Sequence, residues 1–106
     1  MIRKAFVMSV NVGAEAEYER RHNPIWPELN AVLRAHGVYI YSIFLHAATR
    51  QLFAYAEIES EERWSSIAAT PECRRWWLHM AELMPHDASG APLASELREV
   101  FHYTSE

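Results

Sequence analysis

Four apolar runs that alternate with period two, longer stretches with helical spacing between them, and short turn signals at the joins predict an α+β domain. The runs fall in the order β-α-β-β-α-β. That is the ferredoxin-like order, an antiparallel sheet with helices on one face. With 106 residues, half of them apolar, the chain is expected to form a single domain over residues 1–106.

Residues 3–10 read as the first strand, with Phe6, Met8 and Val10 on one face and Ala5, Val7 and Ser9 on the other. Asn11 to Gly13 turn the chain. Residues 14–22 read as a helix that breaks at Asn23-Pro24, because proline disfavours helical geometry in the residue before it and has no N–H to donate. A second helical piece runs to about Ala35, with Ile25, Leu29, Val32 and Leu33 as its apolar stripe and Gly37 as its stop. Pro24 and Pro27 leave its starting point open.

Residues 38–45 form a second strand, in which Val38, Ile40, Ser42 and Phe44 alternate with Tyr39, Tyr41, Ile43 and Leu45. Residues 46–50 turn, and 51–58 return as a third strand, completing a hairpin. Both strands are apolar on both faces, so each face of the sheet needs a cover. Helices supply one. A second copy of the chain is the simplest cover for the other, and a back-to-back homodimer is expected.

Ser60 is placed to cap a third helix, with Glu61 and Glu62 in its first turn and Trp64, Ile67 and Ala68 on its buried face. Thr70 and Pro71 open another, lined by Cys73, Trp76, Trp77, Met80 and Met84. Pro85 to Ser95 is a loop, and residues 97–103 read as a final strand.

The net charge of −4 disfavours nucleic acid and anionic membrane partners. Lys4 is the only lysine, and Arg20-Arg21 and Arg74-Arg75 are too short for a basic stripe. Cys73 is the only cysteine, so no intrachain disulfide forms. The apolar run after Lys4 is too short for a signal peptide, and no run reaches transmembrane length. The cytoplasm is the expected location.

Tyr18 and His22 lie one helical turn apart and share a face, with Trp26 close in sequence. A helix C-terminus favours the imidazolium form, and histidine titrates nearest neutrality. A proton donor between aromatic walls suits chemistry on a small polar ring, although packed helices use the same spacing. No histidine pair has the i, i+4 spacing of helical metal ligands, and no metal site is expected. Glu57, Glu59, Glu61 and Glu62 read as a solvated strand end and helix-dipole partners. Cys73 reads as a small core hydrophobe, and His46, His79 and His86 as solvated surface. Trp76 and Trp77 point about 100° apart, so one packs inward while the other walls a pocket. Tyr41, mid-strand among apolar neighbours, needs a partner for its hydroxyl. Aromatic faces with convergent hydroxyls suit a sugar, and equally suit a small α+β core.

The segments Arg20-Arg21-His22-Asn23-Pro24-Ile25-Trp26-Pro27-Glu28-Leu29, Glu57-Ile58-Glu59-Ser60-Glu61-Glu62-Arg63-Trp64, Arg75-Trp76-Trp77 and Ser95-Glu96-Leu97 leading to Glu99-Val100-Phe101 carry a resemblance along nearly the whole chain. The sequence closely resembles the L-rhamnose mutarotases, small isomerases of bacterial deoxy-sugar metabolism. The resemblance implies a dimeric α+β barrel that interconverts the α and β anomers of L-rhamnose without metal or cofactor. Within it, His22 matches the proton-donating histidine, Tyr18 and Tyr41 the sugar-binding tyrosines, and Trp76 and Trp77 the paired tryptophans. The loop around His86 to Ala94 and the tail Thr104-Ser105-Glu106 are less family-like, which bears on substrate preference. His22 is then expected to protonate the ring oxygen, with the base a tyrosine, a water or His22 itself. The rival reading is a cofactor-free dimeric monooxygenase or a small-molecule binding module, since fold alone does not choose.

Overall fold

A computed structural model describes residues 1–106. The elements are β1 (Ile2–Ser9), α1 (Glu15–Arg21), α2 (Pro27–Ala35), β2 (Val38–His46), β3 (Gln51–Ile58), α3 (Glu61–Ile67), α4 (Pro71–Met80) and β4 (Ser95–Leu97). A 3-10 turn, Ala81–Leu83, extends α4. The strands form one antiparallel sheet in the order β2-β3-β1-β4. This is the expected ferredoxin-like α+β fold.

The local signals act as read. Ser60 and Thr70 cap α3 and α4 by accepting from the backbone N–H of Arg63 and Cys73. The break at Asn23-Pro24 separates two helices, and the second begins with Pro27 in its first turn, where a missing N–H costs nothing. Gly37 ends α2 at φ +76, a conformation that favours glycine.

Alternation sorts the sheet. Leu52, Ala54, Ala56 and Ile58 of β3 are all buried. Leu52 and Ala54 join Met8, Val10, Tyr18, Leu29, Trp76 and Met80 in one core between sheet and helices. The opposite face sets Phe44 beside Phe53 and Phe53 beside Val7 across neighbouring strands, and Phe44 is 66% exposed. A bulge between Val38 and Ile40 shifts the start of β2, so Val38 lies opposite Ile58 and Ile40 opposite Glu57. Strict alternation, which groups Val38 with Ile40, therefore fails at this point.

The final strand also differs from its expected position. It covers residues 95–97, not 97–103, and pairs with Ala5 to Val7. Beyond it the chain still runs beside β1, where Arg3 donates to both carboxylate oxygens of Glu99 at 2.8 and 2.9 Å. An ion pair, not a backbone ladder, holds that point. Val100, Phe101 and Tyr103 then stand exposed.

Candidate active site

Helix α1 presents Tyr18 and His22 to the interior. Their rings stack, with centroids 4.4 Å apart and 29° from parallel. His22 Nδ1 lies 2.8 Å from the Tyr18 carbonyl oxygen. A carbonyl only accepts, so Nδ1 carries the proton and Nε2 is the nitrogen left free. Trp76 of α4 meets the His22 ring edge-on at 5.2 Å. Trp26, at the start of α2, backs Trp76 at 5.0 Å, so three aromatic side chains and one imidazole pack as a unit.

Arg21 locks α1 to α4. Its Nε donates to Glu17 at 2.6 Å, Nη1 to the His79 carbonyl at 2.6 Å and Nη2 to Glu82 at 2.7 Å. The neighbouring pair Arg20–Glu17 is also bonded, and together these hold Glu17 down to a pKa of about 2. A planar guanidinium suits such a three-way junction.

Tyr41 enters from β2. Its ring lies 6.2 Å from Phe6 and 5.5 Å from Trp64. Burial pushes the Tyr18 and Tyr41 hydroxyls well above the ordinary phenol value, so both remain protonated donors. Tyr55, on the opposite sheet face, instead donates its hydroxyl to Glu57 at 2.7 Å.

For His22, burial is the larger influence and lowers the pKa, while the bond to the Tyr18 carbonyl opposes it. The helix-end argument for an imidazolium is therefore overturned: desolvation favours the neutral ring.

Tyr18, His22, Tyr41, Trp76 and Trp77 all line one cavity of about 1240 Å³ between the sheet and the helices. Its wall is largely apolar, with isolated polar groups, as expected of a small-molecule site.

A family model described as L-rhamnose mutarotase matches residues 3–103. The chain belongs to the L-rhamnose mutarotase family. Curated L-rhamnose mutarotases from Opitutus terrae and Yersinia pestis are 68% and 60% identical over 102 residues, covering 96% of this chain and 98% of each relative. The crystal structure of an L-rhamnose mutarotase from Formosa agariphila superposes with a TM-score of 0.90 at 34% identity, over 98% of this chain and 100% of that one. A structure named as a putative antibiotic biosynthesis monooxygenase, from Nitrosomonas europaea, reaches 0.64 at 12% identity over 95% and 100% of the two chains, a likeness of fold alone.

All five residues expected from sequence thus line the same cavity. Trp76 is buried and belongs to the core, while Trp77 is partly exposed and lines the same wall. Cys73 is a buried core residue whose thiol is pushed up to about 11 by burial, so its helix N-terminus does not activate it. His79 departs from its expected solvated position. It is wedged at 5.0 Å from Trp26 and 5.6 Å from Trp76, because the turn before α2 carries Trp26 across to α4. His46 and His86 are exposed. No group of three or more His, Cys, Asp or Glu side chains converges as a metal-binding set.

Sequence reasoning missed Lys4, Glu96 and Trp64 as members of the cavity wall. Lys4 and Phe6 share the inner face of β1, and that alternation was the one available signal.

Proposed function

We propose that this chain interconverts the α and β anomers of L-rhamnose by proton transfer at His22. The observation that carries the reading is the fixed imidazole. Nδ1 is committed to the Tyr18 carbonyl, so Nε2 is the nitrogen left for the chemistry. Opening a pyranose moves one proton from the anomeric hydroxyl to the ring oxygen. Neutral Nε2 accepts the anomeric proton as the C1–ring-oxygen bond breaks and the carbonyl forms. The resulting Nε2–H then donates to the ring oxygen, which keeps His22 as the acid toward that atom. Rotation about C1–C2 and the reverse transfers give the other anomer. Such positioned acid–base transfer contributes about 10²–10⁴-fold. The C1–ring-oxygen bond breaks and re-forms with no net gain or loss of electrons, so the reaction asks for no electron carrier.

The phenols of Tyr18 and Tyr41 would hold sugar hydroxyls, and Trp76 and Trp77 the apolar face and the 6-methyl group. The low identity to the monooxygenase-like structure gives that rival reading no support beyond the fold.

We further propose one domain over residues 1–106, acting as a homodimer in the cytoplasm. The exposed Phe44 and Phe53, paired across the strands with a half-buried Val7 beside them, support the dimer, since single chains seldom leave such a patch in water. A monomeric mass in sedimentation at micromolar concentration would remove it. No helix is long and apolar enough to cross a membrane.

Proton NMR saturation transfer measures anomeric exchange directly. Exchange of L-rhamnose above matched buffer, lost in folded His22→Ala, is the expected result. Acceleration that survives this substitution would refute the assignment of His22. No acceleration by folded wild-type protein would refute the activity.

A further inference from the structure

At the edge of the cavity wall stands an ion pair with no place in the proton transfer, its lysine shielded and its carboxylates exposed. Lys4 is the only lysine of the chain, and its side chain is 12% exposed. Its ammonium lies 3.0 Å from Glu96 Oε1 and 3.1 Å from Glu61 Oε1. Burial acts to lower its pKa, but the bonds to Glu96 and Glu61 outweigh it and the net shift is upward, so it stays charged. An ammonium has three N–H donors and these two bonds use two of them. Glu96 keeps its second carboxylate oxygen free. Both residues line the cavity that holds His22.

The placement follows from the sheet. Lys4 and Phe6 point the same way from β1, and Glu96 of β4 stands opposite Phe6. Phe6 lies against Tyr41 and at 6.0 Å from Trp64. Besides the cluster at Trp76 and His22, the same cavity thus carries a second aromatic group, Phe6, Tyr41 and Trp64, beside a charged donor–acceptor pair on the sheet edge.

We propose that Lys4 and Glu96 form the hydroxyl-reading end of the sugar site and set its preference among sugar configurations. This rests on the reading of the cavity as a sugar site. Each sugar hydroxyl both donates and accepts, and neighbouring ring hydroxyls stand about one hydrogen-bond length apart. An adjacent ammonium and carboxylate match such a pair, one donating and the other accepting. A sugar whose anomeric carbon stands at His22 and whose ring extends along this cavity to the sheet edge presents its remaining hydroxyls to the pair. The configuration of those hydroxyls decides whether both bonds form. A wrong configuration forfeits one or both charge-assisted bonds, which discriminates beyond shape alone.

The test compares Lys4→Met and Glu96→Gln with wild type, using L-rhamnose and L-fucose, which differ in ring-hydroxyl configuration. Concentration-dependent anomeric exchange separates KM from kcat. Loss of one charge-assisted bond should raise KM for L-rhamnose by about tenfold or more, with kcat changed by less than about threefold. The preference for L-rhamnose over L-fucose should shrink in both variants. Lysine-selective isotope labelling gives one side-chain signal, and it should shift with L-rhamnose along the same saturation curve as exchange. A lower melting temperature with unchanged KM and unchanged sugar preference would show a purely structural ion pair and overturn the proposal. If Lys4→Met does not fold, Glu96→Gln and the lysine signal decide: an unmoved signal at saturating sugar overturns it. Wild-type protein that accelerates no sugar would instead refute the activity on which the proposal rests.

Discussion

Arg21 Nη1 lies 2.6 Å from the carbonyl oxygen of His79, and this bond ties the helix bearing Tyr18 and His22 to the helix bearing Trp76 and Trp77. The residue after Arg21 is His22. The carbonyl belongs to the helix that carries Trp76 one turn earlier, and Trp76 touches His22 at 5.2 Å. Arg21 is therefore a positioning residue. Arg21→Met should lower the melting temperature by a few degrees and kcat by about ten- to a hundredfold, because a small misplacement of a reacting group is expensive in rate. Arg21→Lys should recover stability better than kcat, since an ammonium cannot hold three directed bonds in one plane. Equal recovery of both by lysine would make the contact merely structural.

Trp76 and Trp77 should separate in the same assays. Trp76 is buried against Tyr18, Leu29 and Met80, so Trp76→Ala removes core volume and should cost about 3–5 kcal/mol in urea unfolding as well as activity. Trp77 is partly exposed on the cavity wall. Trp77→Ala should raise KM for L-rhamnose while moving the unfolding midpoint much less. Equal stability losses would mean that both indoles are core.

Two glycines offer a control on backbone against packing. Gly13 and Gly37 both have positive φ, +83 and +76. A Cβ at Gly13 would meet nothing within 4 Å, whereas at Gly37 it would stand 2.7 Å from Glu59 Cβ. Gly13→Ala should therefore cost only the backbone strain, about 1 kcal/mol. Gly37→Ala adds a clash with a chain held by the Glu59 N–H to Gly37 carbonyl bond, and should cost about 2 kcal/mol or more. Chemical denaturation of the two variants measures the difference, and equal losses would contradict the close approach.

The element order was legible because each signal is local: period-two runs, caps at Ser60 and Thr70, and glycine and proline at the joins. The roles proposed for the five cavity residues come from the resemblance, while their own positions argued for Tyr18 and His22 on one helix face, a pocket wall at Trp76 or Trp77, and a hydroxyl in need of a partner at Tyr41. Long-range relations stayed hidden. Residues 97–103 alternate like a strand, yet whether a strand forms depends on which edge of β1 stands beside it, and only 95–97 find one. His79 looked solvated because nothing near it in sequence reveals that Trp26, more than fifty residues earlier, packs on its ring. Lys4 carried no motif, and its partners lie on α3 and β4. The burial that lowers the His22 pKa was hidden for a related reason: helix position is visible in sequence, while burial is a property of the finished fold.

The pH response of His22 follows from that burial. Its folded pKa lies below the ordinary imidazole value of about 6.5. The unfolded chain therefore binds the proton more readily, and stability rises with pH where the two states differ. The contribution is complete above about pH 6.5 and is lost as pH falls from there through the folded pKa. His22→Asn should flatten this part of the stability profile. Activity carries the same sign if neutral Nε2 must accept the anomeric proton: kcat/KM, after subtraction of spontaneous exchange, should hold at neutral pH and fall on acidification with a midpoint below 6.5. A resting imidazolium acting first as acid requires the reverse, a rate that falls as pH rises through the same pKa. Saturation-transfer rates between pH 5 and 8 distinguish the two orders of proton transfer, because only one limb of the profile can belong to this residue.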